Sequence, residues 1–187
     1  MNEIKITSLG TISPYPKGKG NCPDFFVEYK NEKILLDCEN GITGALSFPR
    51  ILENLNVMIT HYHKDHFSDI GAIQYASYVY HNLELLNKKI KIYLPQKDFA
   101  FNKKTITANN ESYAEYFDII DDSHLSLSDL HITFQDNKSH AIEFYMIKLQ
   151  NKDFKIIYTS DVGTTNFDQL IEFCQGADLI ICESTFL

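Results

Sequence analysis

Apolar and polar positions alternate or cluster along the first half of the chain in patterns that predict strands. The predicted strands cover residues 3–8, 25–29, 34–37 and 57–60. The pair Asn31-Glu32 lies between the second and third of these and predicts a hairpin. Residues 10–20 contain three glycines and two prolines and predict a loop, whereas residues 44–54 predict a helix.

The second half begins with a long predicted helix over residues 67–86, whose apolar residues recur near helical spacing. A strand over 90–94 is ended by Pro95, and the polar excursion at 98–110 is a candidate substrate-facing loop or small helical flap. Further strands are predicted at 130–134, 142–149 and 154–159, then a helix at 167–174 and a final buried strand at 179–182. Strands in both halves with flanking helices predict an α+β fold of two packed sheets covered by helices.

Four potential metal ligands fall within six residues, directly after the predicted buried strand at 57–60: His61, His63, Asp65 and His66. Neutral imidazole and carboxylate suit Zn²⁺, Mn²⁺ or Fe²⁺. His61 and His63, two residues apart in an extended turn, can converge on one ion, and the other two side chains can hold a second. The alternative is a surface loop that is rich in histidine. Four ligand-type residues at a strand end favour the metal site.

The order His-x-His-x-Asp-His after an apolar strand resembles the signature of metallo-β-lactamase-fold hydrolases. Two more segments of the chain resemble the opening of the ribonuclease Z-like branch of that superfamily. They are Ser8-Leu9-Gly10-Thr11, with Pro14 after it, and Leu36-Asp37-Cys38-Glu39-Asn40-Gly41. The resemblance covers the whole chain. It implies a four-layer αββα sandwich, formed by a single hydrolase domain over residues 1–187.

Carried over by position, the resemblance implies two metal ions, Zn²⁺ in the first place with Mn²⁺ or Fe²⁺ as alternatives. The first ion would be held by His61, His63 and His140, the second by Asp65 and His66, and Asp161 would bridge both. His140 lies in a polar turn between two predicted strands, and Asp161 follows the apolar run at 156–160. Asp65 and Asp161 would also fix the attacking hydroxide, which makes them the catalytic candidates.

The resemblance is incomplete at the C-terminus. The branch continues past the strand at 179–183 with a helix and a strand that supply one more histidine to the second ion, whereas this chain ends at Leu187. Truncation, a ligand from another subunit, and a weaker second site completed by water all stay open, and we favour truncation. The histidines His81, His124 and His131 are predicted to be surface or packing residues.

Two acidic residues at strand ends are candidates for orienting the metal-bound imidazoles from outside the ligand set. Asp37 ends the apolar run at 34–36, and Glu183 follows the run at 179–182. Carboxylates commonly hold the second ring nitrogen of a metal-bound histidine. The alternative for both is a carboxylate that merely ends a strand, and for Asp37 we favour the orienting role.

Charge and cysteine usage limit the partners and the compartment. The net charge is −8 and the chain has a single arginine, Arg50, which disfavours nonspecific nucleic-acid binding. No apolar stretch reaches membrane-spanning length, and the N-terminus lacks the apolar core of a signal peptide. The four cysteines form no Cys-x-x-Cys pair and are predicted to be reduced core residues of a cytoplasmic protein. The oligomeric state, including a homo-oligomer, stays open.

These observations lead to one main hypothesis, metal-dependent hydrolysis in which a dinuclear site activates water. The resemblance favours a phosphodiester, in a small molecule or a short nucleotide; RNA stays open but is not favoured. Hydrolysis of a thioester, a lactone or another acyl substrate is the first alternative. A non-catalytic protein that binds a metal or a partner is the second.

Overall fold

The computed structural model describes residues 3–13, 15–46, 48–94, 103–104, 106, 115–138, 144–163 and 167–182. The described residues form two compact units, one ending at Asp121 and the other beginning at Asp122. Each unit contains one β-sheet. The described residues include no helix that is both long enough and apolar enough to cross a membrane.

The sheet of the first unit has six strands in the order β1-β2-β3-β4-β5-β6. Their bounds are Ile4–Ser8 (β1), Phe25–Tyr29 (β2), Glu32–Leu36 (β3), Leu55–Met58 (β4), Ile90–Tyr93 (β5) and Phe117–Ile120 (β6). The predicted hairpin is confirmed, since β2 and β3 pair antiparallel with Tyr29 opposite Glu32. From β3 onward the neighbouring strands are parallel. The parallel strands therefore end at the same edge of the sheet.

The helices of the first unit are shorter than the sequence pattern predicts. Among the described residues, the helices with complete bounds are Ile42–Ala45 (α1), Lys64–Phe67 (α2) and Ile70–Asn82 (α3). The prediction of a helix over 44–54 is wrong: Pro49 has no backbone N–H to donate, and residues 48–54 form turns. The single helix over 67–86 is also wrong, because it starts at Ile70 and ends at Asn82. Ile70 and Ile73 of α3 pack in the apolar core with Val57 of β4.

The sheet of the second unit has five strands in the order β11-β10-β9-β8-β7. Their bounds are His124–Leu127 (β7), Leu130–Asp136 (β8), Tyr145–Gln150 (β9), Lys155–Tyr158 (β10) and Leu179–Ile181 (β11). One helix, Phe167–Cys174 (α4), connects β10 to the parallel strand β11 and has the predicted bounds. The strands β9 and β10 pair antiparallel, with Gln150 opposite Lys155.

Several details differ from prediction. The strands β6 and β7 were not predicted, because each is a segment of only four residues, too short for a clear pattern. The final strand β11 was predicted to be buried, yet Leu179 is 43% exposed and Ile180 45% exposed. This strand is at the edge of its sheet, where a neighbouring strand pairs on one side only. The cysteine prediction holds for Cys22 and Cys38, which are free and buried, but Cys182 is exposed and Cys174 half-buried.

Candidate metal centre

The parallel pairing of β3 and β4 places two chemically important turns next to each other. Leu36 and Met58 are register partners at the carboxyl ends of these strands. Beyond them the Asp37 N–H donates to the Met58 carbonyl at 2.9 Å. The carboxyl ends of parallel strands are where α/β folds commonly bind ligands. Asp37 thus lies beside the segment that leads into residues 61–66, the His-rich turn.

Asp37 is fully buried and accepts hydrogen bonds from both sides of this edge. Its Oδ1 atom accepts from the Thr60 N–H at 2.7 Å, and the Thr60 hydroxyl lies 2.9 Å from both carboxylate oxygens. Its Oδ2 atom lies 3.0 Å from Nδ1 of His66. Asp37 has a φ of 63°, in the left-handed region where few residues other than Gly, Asn and Asp are common. One carboxylate therefore contacts both ends of the His-rich turn.

The hydrogen bonds of Thr60 determine which nitrogen of His61 carries the proton. A carboxylate only accepts, so the single hydroxyl hydrogen of Thr60 is donated to Asp37. Nδ1 of His61 lies 3.0 Å from the same hydroxyl oxygen and must then donate to it. The lone pair of His61 is left on Nε2. That atom lies 2.9 Å from Nδ1 of His63, so the two nitrogens face one point and share one proton.

The His66 ring is oriented in the same way. Its Nδ1 atom lies 3.0 Å from Oδ2 of Asp37, which only accepts, so Nδ1 is the donor and the lone pair of the neutral ring is on Nε2. Nε2 lies 4.0 Å from Oδ2 of Asp65. His66 is buried, whereas the Asp65 side chain is 28% exposed. The rings of His61 and His66 lie next to each other, with centroids 4.0 Å apart. In the first unit the structure thus brings together all four predicted ligands of the His-rich turn.

Backbone hydrogen bonds fix the His-rich turn to the segment after β3. The Cys38 N–H donates to the His66 carbonyl at 2.9 Å, and the Asp69 N–H donates to the Cys38 carbonyl at 3.0 Å. Oδ2 of Asp69 accepts from the Gly41 N–H, the Thr43 N–H and the Thr43 hydroxyl at 2.9 to 3.1 Å. Such bonds hold the ligand side chains on a rigid support.

Sequence reasoning missed a group of buried side chains beside His66, namely Cys22, Asp24 and Glu39. Burial, and then the charges of Glu39 and Asp37, raise the pKa of Asp24 well above its usual value. Burial and then the charge of Glu39 raise the pKa of the Cys22 thiol to about 12. No sequence signal marks Asp24, which lies in a polar segment before β2. Glu39 belongs to the segment that carries the resemblance, but no pattern predicts its burial.

The remaining predicted residues lie in the second unit or outside the described residues. Asp161 is half-buried and follows β10, and how it is placed relative to the His-rich turn stays a prediction. His140 and Glu183 lie outside the described residues. The predictions for the other histidines are confirmed: His124 and His131 are exposed, and Nδ1 of His81 contacts the Ser77 carbonyl within α3 at 2.8 Å.

The donors of the His-rich turn fit a transition-metal ion. Neutral imidazole with its second nitrogen bound to a carboxylate, hydroxyl or carbonyl is the usual form of a metal-binding histidine. His61 has such a partner in Thr60, and His66 has one in Asp37. A cation that binds both His61 and His63 would displace the proton between them, as metal binding to imidazole requires.

Comparison with known proteins shows similarity to metallo-hydrolases and to ribonuclease Z. No protein-family model matches the chain. The chain is 26% identical over 185 residues to the probable metallo-hydrolase YhfI of Bacillus subtilis, spanning 98% of this chain and 73% of that protein. It is 25% identical to ribonuclease Z of Saccharolobus islandicus, and the match covers 98% of this chain and 77% of that protein.

Two solved structures show the fold. The crystal structure of the metallo-β-lactamase-fold protein YhfI from Bacillus subtilis is similar at a TM-score of 0.80 and 25% identity, covering 98% of this chain and 71% of that one. The short form of human tRNase Z is similar at a TM-score of 0.67 and 19% identity, and the match covers 96% of this chain and 76% of that chain. With two sheets, flanking helices and the His-x-His-x-Asp-His turn, the chain has the metallo-β-lactamase fold and is similar to the ribonuclease Z-like proteins of that superfamily.

Proposed function

We propose that this protein is a metal-dependent hydrolase that uses a dinuclear site to cleave a phosphodiester. The observation that carries the proposal is the arrangement around Asp37. Asp37 accepts the hydroxyl proton of Thr60, so the Thr60 oxygen accepts from Nδ1 of His61. Asp37 also accepts directly from Nδ1 of His66. In both neutral rings the lone pair is then on Nε2, where it can bind an ion. Relatives named as a metallo-hydrolase and a ribonuclease support hydrolysis as the class of reaction.

The proposed ligands are those that the resemblance implies. The first ion would be held by His61, His63 and His140, the second by Asp65 and His66, and both by Asp161. Zn²⁺ suits this donor set, with Mn²⁺ or Fe²⁺ as alternatives. When bound, the two ions would supply acidified water and a positive charge that polarises the substrate.

The protein's own residues have separate roles in this proposal. Thr60 and Asp37 keep protons on the Nδ1 atoms of His61 and His66, which prevents the rings from turning away from the site. Asp65 and Asp161 accept a hydrogen bond from the attacking water and so orient it. The fixed histidines keep these groups in place without reorganisation during the reaction, which is the main requirement for electrostatic catalysis.

The substrate proposal is a small phosphodiester or a short nucleotide. Relatives are named ribonuclease Z, which favours phosphodiester chemistry. A net charge of −8 and a single arginine disfavour a long RNA, because binding RNA along its length requires many phosphate contacts from Lys and Arg.

The test is a metal and activity assay on the purified protein. We expect about two zinc ions per chain, by mass spectrometry of the metal content, and zinc-dependent turnover of bis(p-nitrophenyl) phosphate. A thioester and a lactone are assayed in parallel, with the exposed His124→Ala variant as a matched control that should behave as wild type. Turnover of acyl substrates alone would overturn the phosphodiester proposal. A single tightly bound ion without any hydrolysis would indicate a binding protein instead.

A further inference from the structure

A second carboxylate lies against the same nitrogen of His66 that Asp37 contacts. Oε1 of Glu39 lies 3.4 Å from Nδ1 of His66, compared with 3.0 Å for Oδ2 of Asp37. One donor or acceptor atom from each of these three side chains lies within 4.8 Å of the others. Glu39 is 1% exposed and Asp37 is fully buried. His66 therefore faces two carboxylates in a site that excludes water.

Other buried groups hold Glu39 in this position. Its backbone N–H donates to Oδ2 of Asp24 at 2.8 Å. The Cys22 thiol lies close to the Glu39 carboxylate, whose charge, after burial, raises the pKa of the thiol. The Cys22 N–H also donates to the Asn40 carbonyl at 3.3 Å, which ties the two segments together. These bonds hold the backbone of Glu39 in place, and the fold thereby directs its side chain toward His66.

Two carboxylates on one side of an imidazole change its properties as a ligand. A carboxylate that accepts the Nδ1 proton fixes the tautomer and makes Nε2 a stronger donor to a metal. The effect of charge is larger in a buried site because the local dielectric constant is low. The 3.0 Å contact of Asp37 provides the main hydrogen bond. Glu39 adds its charge and a longer, second contact to the same N–H.

We propose that Glu39 is a positioning residue that acts with Asp37 on Nδ1 of His66, and thereby strengthens the binding of the second metal ion at Nε2. This inference rests on the proposed dinuclear site. It addresses the second ion, for which His66 and Asp65 are the proposed ligands of the first unit.

The test compares zinc affinities of the Glu39→Gln variant and the wild type, by titration in competition with a chromophoric chelator. Glutamine keeps the size of the side chain and its contact with Cys22 but removes the charge. We expect the first ion to bind as in wild type and the second about tenfold more weakly, the lower end of the effect seen for such outer residues. The exposed Glu53→Gln variant is the matched control and should bind both ions as wild type does.

Glu39→Asp retains the charge and separates an electrostatic role from packing. We expect it to recover most of the second-ion affinity, whereas an equal loss in both variants would overturn the proposal. So would a Gln variant whose second-ion affinity lies within about threefold of wild type. Thermal unfolding checks the fold, and Glu39→Met provides the same charge removal if the Gln variant does not fold. Wild-type protein that binds no second ion would overturn the proposed dinuclear site as well, so the two failures are distinguishable.

Discussion

Replacing Asp37 with asparagine is expected to move a proton on His66 without disturbing the backbone. Asparagine fits the left-handed backbone at this position, where φ is 63°. Its carbonyl oxygen must face the Thr60 N–H, which lies 2.7 Å from Oδ1 of Asp37. The amide NH₂ is then directed at Nδ1 of His66, 3.0 Å from the other carboxylate oxygen. Because two donors cannot share a hydrogen bond, Nδ1 becomes the acceptor and the proton moves to Nε2.

The expected loss of zinc affinity follows from the interactions that the Asp37→Asn substitution removes. The Nε2 atom of His66 must lose its new proton before it can bind an ion, and the charged acceptor that strengthened it is gone. Residues that hold a metal-bound histidine typically contribute 10- to 100-fold in affinity, which is about 1.4 to 2.8 kcal/mol. The cost to folding should be smaller, about 1 kcal/mol, because the hydrogen bonds become neutral but are not left unpaired.

Zinc titration against a chromophoric chelator, with urea unfolding of the metal-free protein, measures both quantities. The matched control is Asp118→Asn, which changes an exposed carboxylate in the same unit that pairs with Lys89 at 3.4 Å. We expect Asp37→Asn to weaken the second ion at least tenfold and Asp118→Asn to weaken neither. If the two-step zinc titration curve of Asp37→Asn superimposes on that of the wild type, the tautomer argument is refuted.

Three further predictions use other parts of the chain. Asp161→Ala is expected to abolish turnover and lower the metal content, both measured on purified protein, and a fully loaded, active variant would contradict its bridging role. Alkylation of the native protein at pH 8, located by peptide mass mapping, is expected at the exposed Cys182 and not at the buried Cys22, whose pKa is raised to about 12. Burial and two neighbouring carboxylates raise the pKa of Asp24 above its usual 3.8, so its contribution to stability is present below pH 3.8 and is lost as the pH rises through the folded-state pKa. Asp24→Asn, which cannot ionise, should therefore unfold at a higher temperature than wild type at neutral pH. This difference in unfolding temperature should disappear toward pH 3.8, and a difference that is constant with pH would contradict the raised pKa of Asp24.

The fold could be predicted where a short apolar run lies between strong turn signals. Strand β2 and helix α4 have the predicted bounds, and the metallo-β-lactamase fold is confirmed by solved structures. The prediction failed where the apolar spacing of one helix continues through residues that belong to another element. Phe67 ends α2, yet its spacing matches that of α3, so periodicity alone does not show the break at Ser68 and Asp69.

The metal ligands could be predicted because they are close together in the sequence, and the groups that support them could not. His61, His63, Asp65 and His66 lie in one turn, where residue type and spacing are enough to suggest an ion. Glu39 and Asp24 reach His66 only through the pairing of β2, β3 and β4, which brings three distant segments to one edge of the sheet. A buried carboxylate also costs stability unless its environment compensates. The proposed effect of Glu39 on the second ion, through the Nδ1 atom of His66, would account for this cost.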